Sequence, residues 1–178
     1  MNFRKAERGE LAALCAFYRT VIADMDARKV GQWDWGLYPS EDMLAEDIDA
    51  GQLYVGEENG ELLCAFVIGT ESEDEYAPVA WLFGVKPGFL HRLAVSPTHQ
   101  GQGIAGCAVD AAEQLLREMG CDCLRLDTLQ RNERAMALYT KRGMRQTGFC
   151  VHWPDHETDD FPCFEKPLTA DCPLRPIP

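Results

Sequence analysis

Residues 99–110 read HQGQGIAGCAVD, and the glycines in this stretch can be set to chemistry in two ways. Gly101, Gly103 and Gly106 spell G-x-G-x-x-G, the fingerprint of a dinucleotide-binding turn. Started at Gln100, the same stretch spells Q-x-x-G-x-A and closes on Ala105. Either loop opens a helix, whose unpaired first N–H groups and positive dipole end suit a phosphate. Side chains at 101 and 103 would obstruct a close backbone approach, which glycine avoids.

Context separates the two readings. In the dinucleotide fold the strand runs directly into the first glycine, which makes the tight turn. Here the strand FLHRLAV ends at Val95, and SPTHQ stands before Gly101. The acid expected about 20 residues on would be Asp122, which precedes the next strand instead of ending it. A nicotinamide-dependent oxidoreductase is therefore the weaker reading. A second constellation, NERAMALYTKRGM at 132–144, points elsewhere. Asn132 is placed to cap a helix carrying Ala135, Leu138 and Tyr139, and Gly143 closes it. By spacing, Tyr139 is a core aromatic or a phenol able to give up a proton.

LAVSPTHQGQGIAG and NERAMALYTKRGM, with one helix and one strand between them, together resemble the two signatures of the GNAT superfamily, the acyl-CoA-dependent N-acyltransferases. The resemblance covers 89–145 in motifs and about 2–168 in element order. Gln100 stands where Arg is commoner and Ala105 where many members have Gly; both are accepted variants. It implies that Gln100, Gly101, Gln102, Gly103, Ile104 and Ala105 hold the pyrophosphate of coenzyme A. The pantetheine arm would lie between splayed strands and pair with the backbone of Leu93, Ala94 and Val95. An N–H there would donate to the oxyanion. Asn132 would contact the cofactor, and Tyr139 would be the acid for the departing thiolate. The implied reaction is direct transfer of acetyl from acetyl-CoA to a primary amine on a small molecule or peptide. The alternative is a sensor module of the same fold that binds acyl-CoA without turnover.

The base is less determined. Candidates are Asp127, near the end of its strand, and the acids of ESEDE at 71–75, although a charge run usually faces solvent. The acceptor pocket is expected from 26–40 and 71–91, where Trp33, Trp35, Tyr38 and Trp81 are concentrated. Such rings stack on a substrate or hold a cation, or they pin loops to the core. His91 is expected to pack on its strand.

These groups need a scaffold. A short strand at 2–5 precedes a helix at 9–24 with Leu11, Leu14, Cys15, Tyr18 and Ile22 on one face. Ser40 caps a second helix stopped by Gly51. Asn59-Gly60 turns a hairpin over 52–69. VAWLFGV at 79–85 reads as a strand or as part of a long loop. The helix at 103–119 has its stripe at Ile104, Ala108, Ala111, Leu115 and Met119. Strands at 123–129, 144–153 and 161–168 follow, with an irregular tail from 169. The order β-α-α-β-β-β-α-β-α-β-β predicts one α/β domain over 1–178. By resemblance its sheet is mixed, mostly antiparallel, with splayed central strands and helices on both faces.

Composition sets the remaining bounds. The 178 residues carry 17 basic and 29 acidic side chains, a net −12, which repels nucleic acid and attracts cations. A cationic primary amine, polyamine-like, amino-sugar or peptide, is the expected acceptor. The longest apolar run is far short of a membrane span, and the N-terminus has no apolar leader, so a cytoplasmic setting is expected without membrane partners. A homodimer is left open. Several of the eight cysteines look like buried free thiols, among them Cys64 and Cys107. Cys121, Cys123, His152 and His156 have the wrong spacing for zinc, so no metal is expected.

Overall fold

The computed structural model describes residues 1–151 and 161–175. His152 and His156 lie outside them. Strands run in the order β1-β2-β3-β4-β5-β7-β6 through a seven-stranded sheet. In chain order these are β1 (Asn2–Lys5), β2 (Leu53–Glu58), β3 (Glu61–Gly69), β4 (Pro87–Val95), β5 (Cys123–Asp127), β6 (Arg145–Cys150) and β7 (Phe161–Pro167). The pairs β1–β2, β2–β3, β5–β7 and β6–β7 are antiparallel, and β4–β5 is parallel. The helices are α1 (Leu11–Ala27), α2 (Glu41–Asp49), α3 (Ile104–Glu118) and α4 (Glu133–Lys141). No helix among the described residues is long and apolar enough to cross a membrane. The chain forms two compact units, Met1–Ile68 with Arg92–Ala111 and Gly69–His91 with Ala112–Pro178. The division falls inside β4 and inside α3.

In the first unit α1 buries Leu14, Cys15, Tyr18, Val21, Ile22 and Met25. Met25 continues the helical period, and the helix accordingly runs past its expected end at 24. α2 starts where the Ser40 side chain accepts from Met43 N at 3.2 Å, with Glu41 and Asp42 against the positive dipole end. The β2–β3 turn places Asn59 at φ 52° and Gly60 at φ 78°, the left-handed pair that a type I′ turn requires. Opposite Cys64 stands Gly56, where a Cβ would come within 2.5 Å of the Cys64 sulfur.

In the second unit β4 and β5 pair over Pro87–Phe89 with Cys123–Arg125. Gly88 admits α3, since a Cβ there would come within 2.5 Å of the Leu116 side chain. VAWLFGV is not a strand. It makes one isolated bridge, Phe83 to Leu174, and a carboxylate from β7 takes the N–H groups of Leu82 and Phe83 in place of a neighbouring strand. The acidic 71–75 run enters a short 3₁₀ turn, Asp74–Tyr76.

Two expectations need correction. On α3 the buried apolar side chains are Ile104, Ala108, Val109, Ala112 and Leu116, while Ala111 and Leu115 are half-buried and Met119 is exposed beyond the helix end. Cys107 is exposed on the polar face of the same helix. The other thiols behave as small apolar groups; burial pushes those of Cys64 and Cys123 up to about 12.

Candidate functional site

The glycine loop lies in the first unit. Ser96 N donates to Leu63 O at 2.8 Å and ends β4, and a 3₁₀ turn, Pro97–His99, follows. Gly101 and Gly103 sit at φ 79° and 85°, a conformation that side chains resist. Cys107 N is the first amide of α3 to bond back, to Gly103 O at 3.1 Å. The N–H groups of residues 102–106 have no protein acceptor among the described residues. A run of unpaired donors at a helix start is an anion cradle. An added Cβ at Gly101 or Gly103 would meet nothing within 4 Å. Glycine is therefore required by the positive φ and not by crowding from the protein, and the space above the loop is open to a ligand. Gln100 turns its side chain back to α1 and donates to Asp24 Oδ2 at 3.2 Å, a carboxylate also held by Arg28 at 2.9 Å.

The same unit presents the end of β4. Ala94 is buried in the core with Leu14, Tyr18 and Leu53, and Leu93 and Val95 are half-buried. Just before them stands Arg92, whose φ of 51° is left-handed. Trp33 is 7% exposed and packs against Tyr18 at 5.9 Å between centroids. Trp35 is half-buried under the Arg19 guanidinium at 4.6 Å, and Tyr38 lies under Arg92 at 5.2 Å. All of these rings pin the 26–40 loop to protein groups.

In the second unit Asn132 caps α4, accepting from Ala135 N at 3.3 Å. Tyr139 is buried, its ring tilted against Phe164 at 5.7 Å. Burial, together with the charge of Asp127, pushes its phenol above the ordinary range. Asp127 Oδ1 accepts a hydrogen bond from the Tyr76 hydroxyl. Tyr76 stacks on Phe89 at 5.4 Å and on His91 at 6.2 Å, and meets the edge of Trp81 at 5.6 Å. His91 Nδ1 lies 3.7 Å from Glu73 Oε1. Trp81 is 8% exposed with the Arg125 guanidinium 4.6 Å over its ring.

Residues 71, 72 and 74 are exposed, as expected of a solvated run, while Glu73 and Tyr76 tie the segment into this unit. Glu73 faces His91, and Tyr76, which the sequence reading passed over, reaches Asp127. An aromatic residue directly after an acidic run was the available signal, because a lone buried ring anchors a loop. Asp127 and Tyr76 come together, and Tyr139 lies close enough to feel the Asp127 charge. Arg92 carried no sequence expectation at all, whereas Glu73 stood among the acids of 71–75 considered for the base.

The model of the acetyltransferase (GNAT) family matches residues 15–144 of the chain. Solved structures with the same fold include a GNAT-family acetyltransferase from Streptococcus agalactiae, 21% identical, with a TM-score of 0.81 over 93% of this chain and 94% of that one. The yncA structure from Salmonella typhimurium, solved with its cofactor acetyl-CoA, is 18% identical, with a TM-score of 0.69 over 95% and 94% of the two chains. The ribosomal-protein-S18-alanine N-acetyltransferase from Escherichia coli is 18% identical, with a TM-score of 0.67 over 94% of each chain. Among curated proteins, N-acetyltransferase 8F1 from Rattus norvegicus is 41% identical over 59 residues, a stretch that spans 33% of this chain and only 27% of that protein.

Proposed function

The chain belongs to the acetyltransferase (GNAT) family, and from that premise we propose that it moves an acetyl group from acetyl-CoA to a primary amine by direct attack. The observation that carries this reading is the run of unpaired N–H groups at 102–106, opened by two left-handed glycines with clear space above them. These donors fit a pyrophosphate, and the Salmonella relative solved with acetyl-CoA supports coenzyme A as its bearer. The −12 charge leaves a specific cradle for an anion on a molecule that otherwise repels anions.

In this reading the loop residues Gln100 to Ala105 anchor the cosubstrate, and Asn132 assists while capping α4. The backbone of Leu93, Ala94 and Val95 lies along the pantetheine arm, and one of its N–H groups stabilises the oxyanion. Tyr139, which like any ordinary phenol keeps its proton at pH 7, gives it to the departing sulfur. Asp127, fixed by the Tyr76 hydroxyl, receives the amine's proton. The acceptor is a cationic amine drawn in by the acidic surface. The relatives named for N-acetyl transfer support a nitrogen acceptor.

The test is thiol release from acetyl-CoA in the presence of a panel of polyamines, amino sugars and peptide amines. Turnover with a cationic member is expected. Tyr139→Phe should lower turnover by about 10²–10⁴ with little change in coenzyme A affinity. Tight binding of coenzyme A with no thiol release for any amine would make the protein an acyl-CoA sensor and sink the enzymatic reading. Unfolding of Tyr139→Phe with normal specific activity in its folded fraction would make Tyr139 a core residue.

A further inference from the structure

Among the described residues, positive φ outside glycine occurs at Lys29, Asn59 and Arg92, at 59°, 52° and 51°. Lys29 follows the end of α1 and Asn59 turns a hairpin, both usual places for it. Arg92 lies inside a strand. A left-handed residue with a Cβ persists there only where its surroundings enforce it.

The surroundings come from three other segments of the same unit. Asp47 of α2 takes Arg92 Nη2 at 2.8 Å and Nε at 3.0 Å. Arg92 Nη1 donates to the Tyr38 hydroxyl at 3.1 Å, and the guanidinium lies 5.2 Å over the Tyr38 ring. The Tyr18 hydroxyl of α1 donates to the Arg92 carbonyl oxygen at 2.8 Å. Side chain and carbonyl are thus both held, one on each side of the strained Cα. Asp47 and Arg92 are 9% and 11% exposed at their side chains, so the pair is shielded from water. Glycine would permit this φ but could not hold it; arginine's planar fork anchors it.

A left-handed residue inside a strand re-aims the backbone that follows, as in a bulge. The backbone that follows is Leu93–Val95. We propose that Asp47, Tyr18 and Tyr38 lock Arg92 in its left-handed conformation, and that Arg92 is thereby the positioning residue that aims the Leu93–Val95 backbone at the acyl group. This rests on the acetyl-transfer reading above. It also gives Tyr38, expected in the acceptor pocket, a different task. The clamp sets the acyl end of the site, while the glycine loop independently holds the phosphate end.

The test compares two double variants, Asp47→Asn with Arg92→Gly and Asp47→Asn with Arg92→Ala. Both lose the ion pair to the same degree, and they differ in whether residue 92 tolerates positive φ. The readouts are kcat for the best amine of the panel and Kd for coenzyme A by calorimetry. The alanine double should show a kcat about tenfold below that of the glycine double, as left-handed strain at a residue with a Cβ dictates. Both should bind coenzyme A within about twofold of each other, because residues 101–106 are untouched. Equal kcat in the two doubles, with an active wild type, overturns the inference alone. A wild type that binds coenzyme A but releases no thiol overturns the acetyl-transfer reading and the inference with it. Should the doubles fail to fold, Tyr18→Phe removes a single hydroxyl from the Arg92 carbonyl. A lowered kcat with unchanged coenzyme A affinity is then expected, and an unchanged kcat overturns the proposal.

Discussion

Among the described residues each of the two units buries one arginine–carboxylate pair, and the pairs are built differently. In the first, Arg92 and Asp47 meet face to face through two hydrogen bonds of 2.8 and 3.0 Å. In the second, Arg125 Nε stands 3.8 Å from Glu165 Oε2, beyond hydrogen-bonding distance, and has no partner. Arg125 Nη2 instead donates to Phe83 O at 2.7 Å, and Glu165 accepts from Leu82 N at 2.6 Å and Phe83 N at 3.3 Å. Burial pushes both carboxyls, Asp47 and Glu165, above their ordinary range; Arg92 pulls Asp47 back, whereas Glu165 is pulled back first by the Leu82 and Phe83 N–H groups and then by Arg125. Charges this deep are costly wherever a polar contact is left unmade. The difference lies in what the backbone lacks. Arg92 holds a single strained residue within a strand, whereas Arg125 and Glu165 together replace the missing ladder of the loop at 82–83. In both places a buried ion pair stands where regular secondary structure cannot hold the chain.

The sharpest way to break this comparison is Glu165→Ala. It strands a buried guanidinium and leaves the Leu82 and Phe83 N–H groups without acceptors, so it should cost about 3–5 kcal/mol, read from urea unfolding. Many buried ion pairs can be exchanged for apolar residues almost neutrally. Arg125→Met with Glu165→Leu should still cost about 1–3 kcal/mol, because the loop amides remain unmet. A neutral double variant would show that the loop does not lean on the pair, and the distinction drawn between the two units would fail.

The same contrast marks how far the sequence could be read. Features set by neighbouring residues were legible: the Ser40 and Asn132 caps and the Asn59-Gly60 turn. Each follows from chemistry acting over a few residues. The order of strands and helices was legible for the same reason. The α3 stripe was right at Ile104 and Ala108 and slipped by one residue beyond them. Apolar residues stand side by side at 111–112 and 115–116, so the pattern fits two faces equally and packing chooses between them. The Arg92 kink, the Tyr76–Asp127 bond and the hold of Glu165 on residues 82–83 were illegible, because their partners lie dozens of positions apart and no local period encodes them.

A smaller effect separates charged from neutral donors on a carboxylate. Tyr76→Phe keeps the stack with Phe89 and His91 and removes the hydroxyl that Asp127 accepts. The lost hydrogen bond to a charged group should cost about 1.5–3 kcal/mol, below the Glu165→Ala loss. If Asp127 is the base that Tyr76 positions, kcat falls as well, while coenzyme A affinity stays. A variant with full stability and full kcat would mean that the hydroxyl neither supports the fold nor orients Asp127.

The smallest expected effect isolates burial as the variable. Arg4 grips Glu10 as closely as Arg92 grips Asp47, at 2.8 and 2.7 Å, and also holds Glu57 at 2.9 Å, but a third of each Arg4 and Glu10 side chain is exposed. The Arg4 hydrogen bonds lower the Glu10 carboxyl from an ordinary 4.5 to about 2. A depressed carboxyl stabilises the fold fully above its unfolded value, and the contribution is lost as pH falls from there towards the folded one. Glu10→Gln should therefore cost about 0.2–1 kcal/mol near neutral pH in dilute salt. The gap from wild type should close as the pH is lowered from about 5 towards 2, and it should shrink in about 1 M salt, where charges are screened within a few ångströms. Asp47→Asn measured beside it should show no such salt response, since water and ions are shut out of the Arg92 pair. Equal salt sensitivity in the two variants would mean that the Arg92 clamp is as open to solvent as the Arg4 cluster, and therefore too loosely held to fix a strained strand.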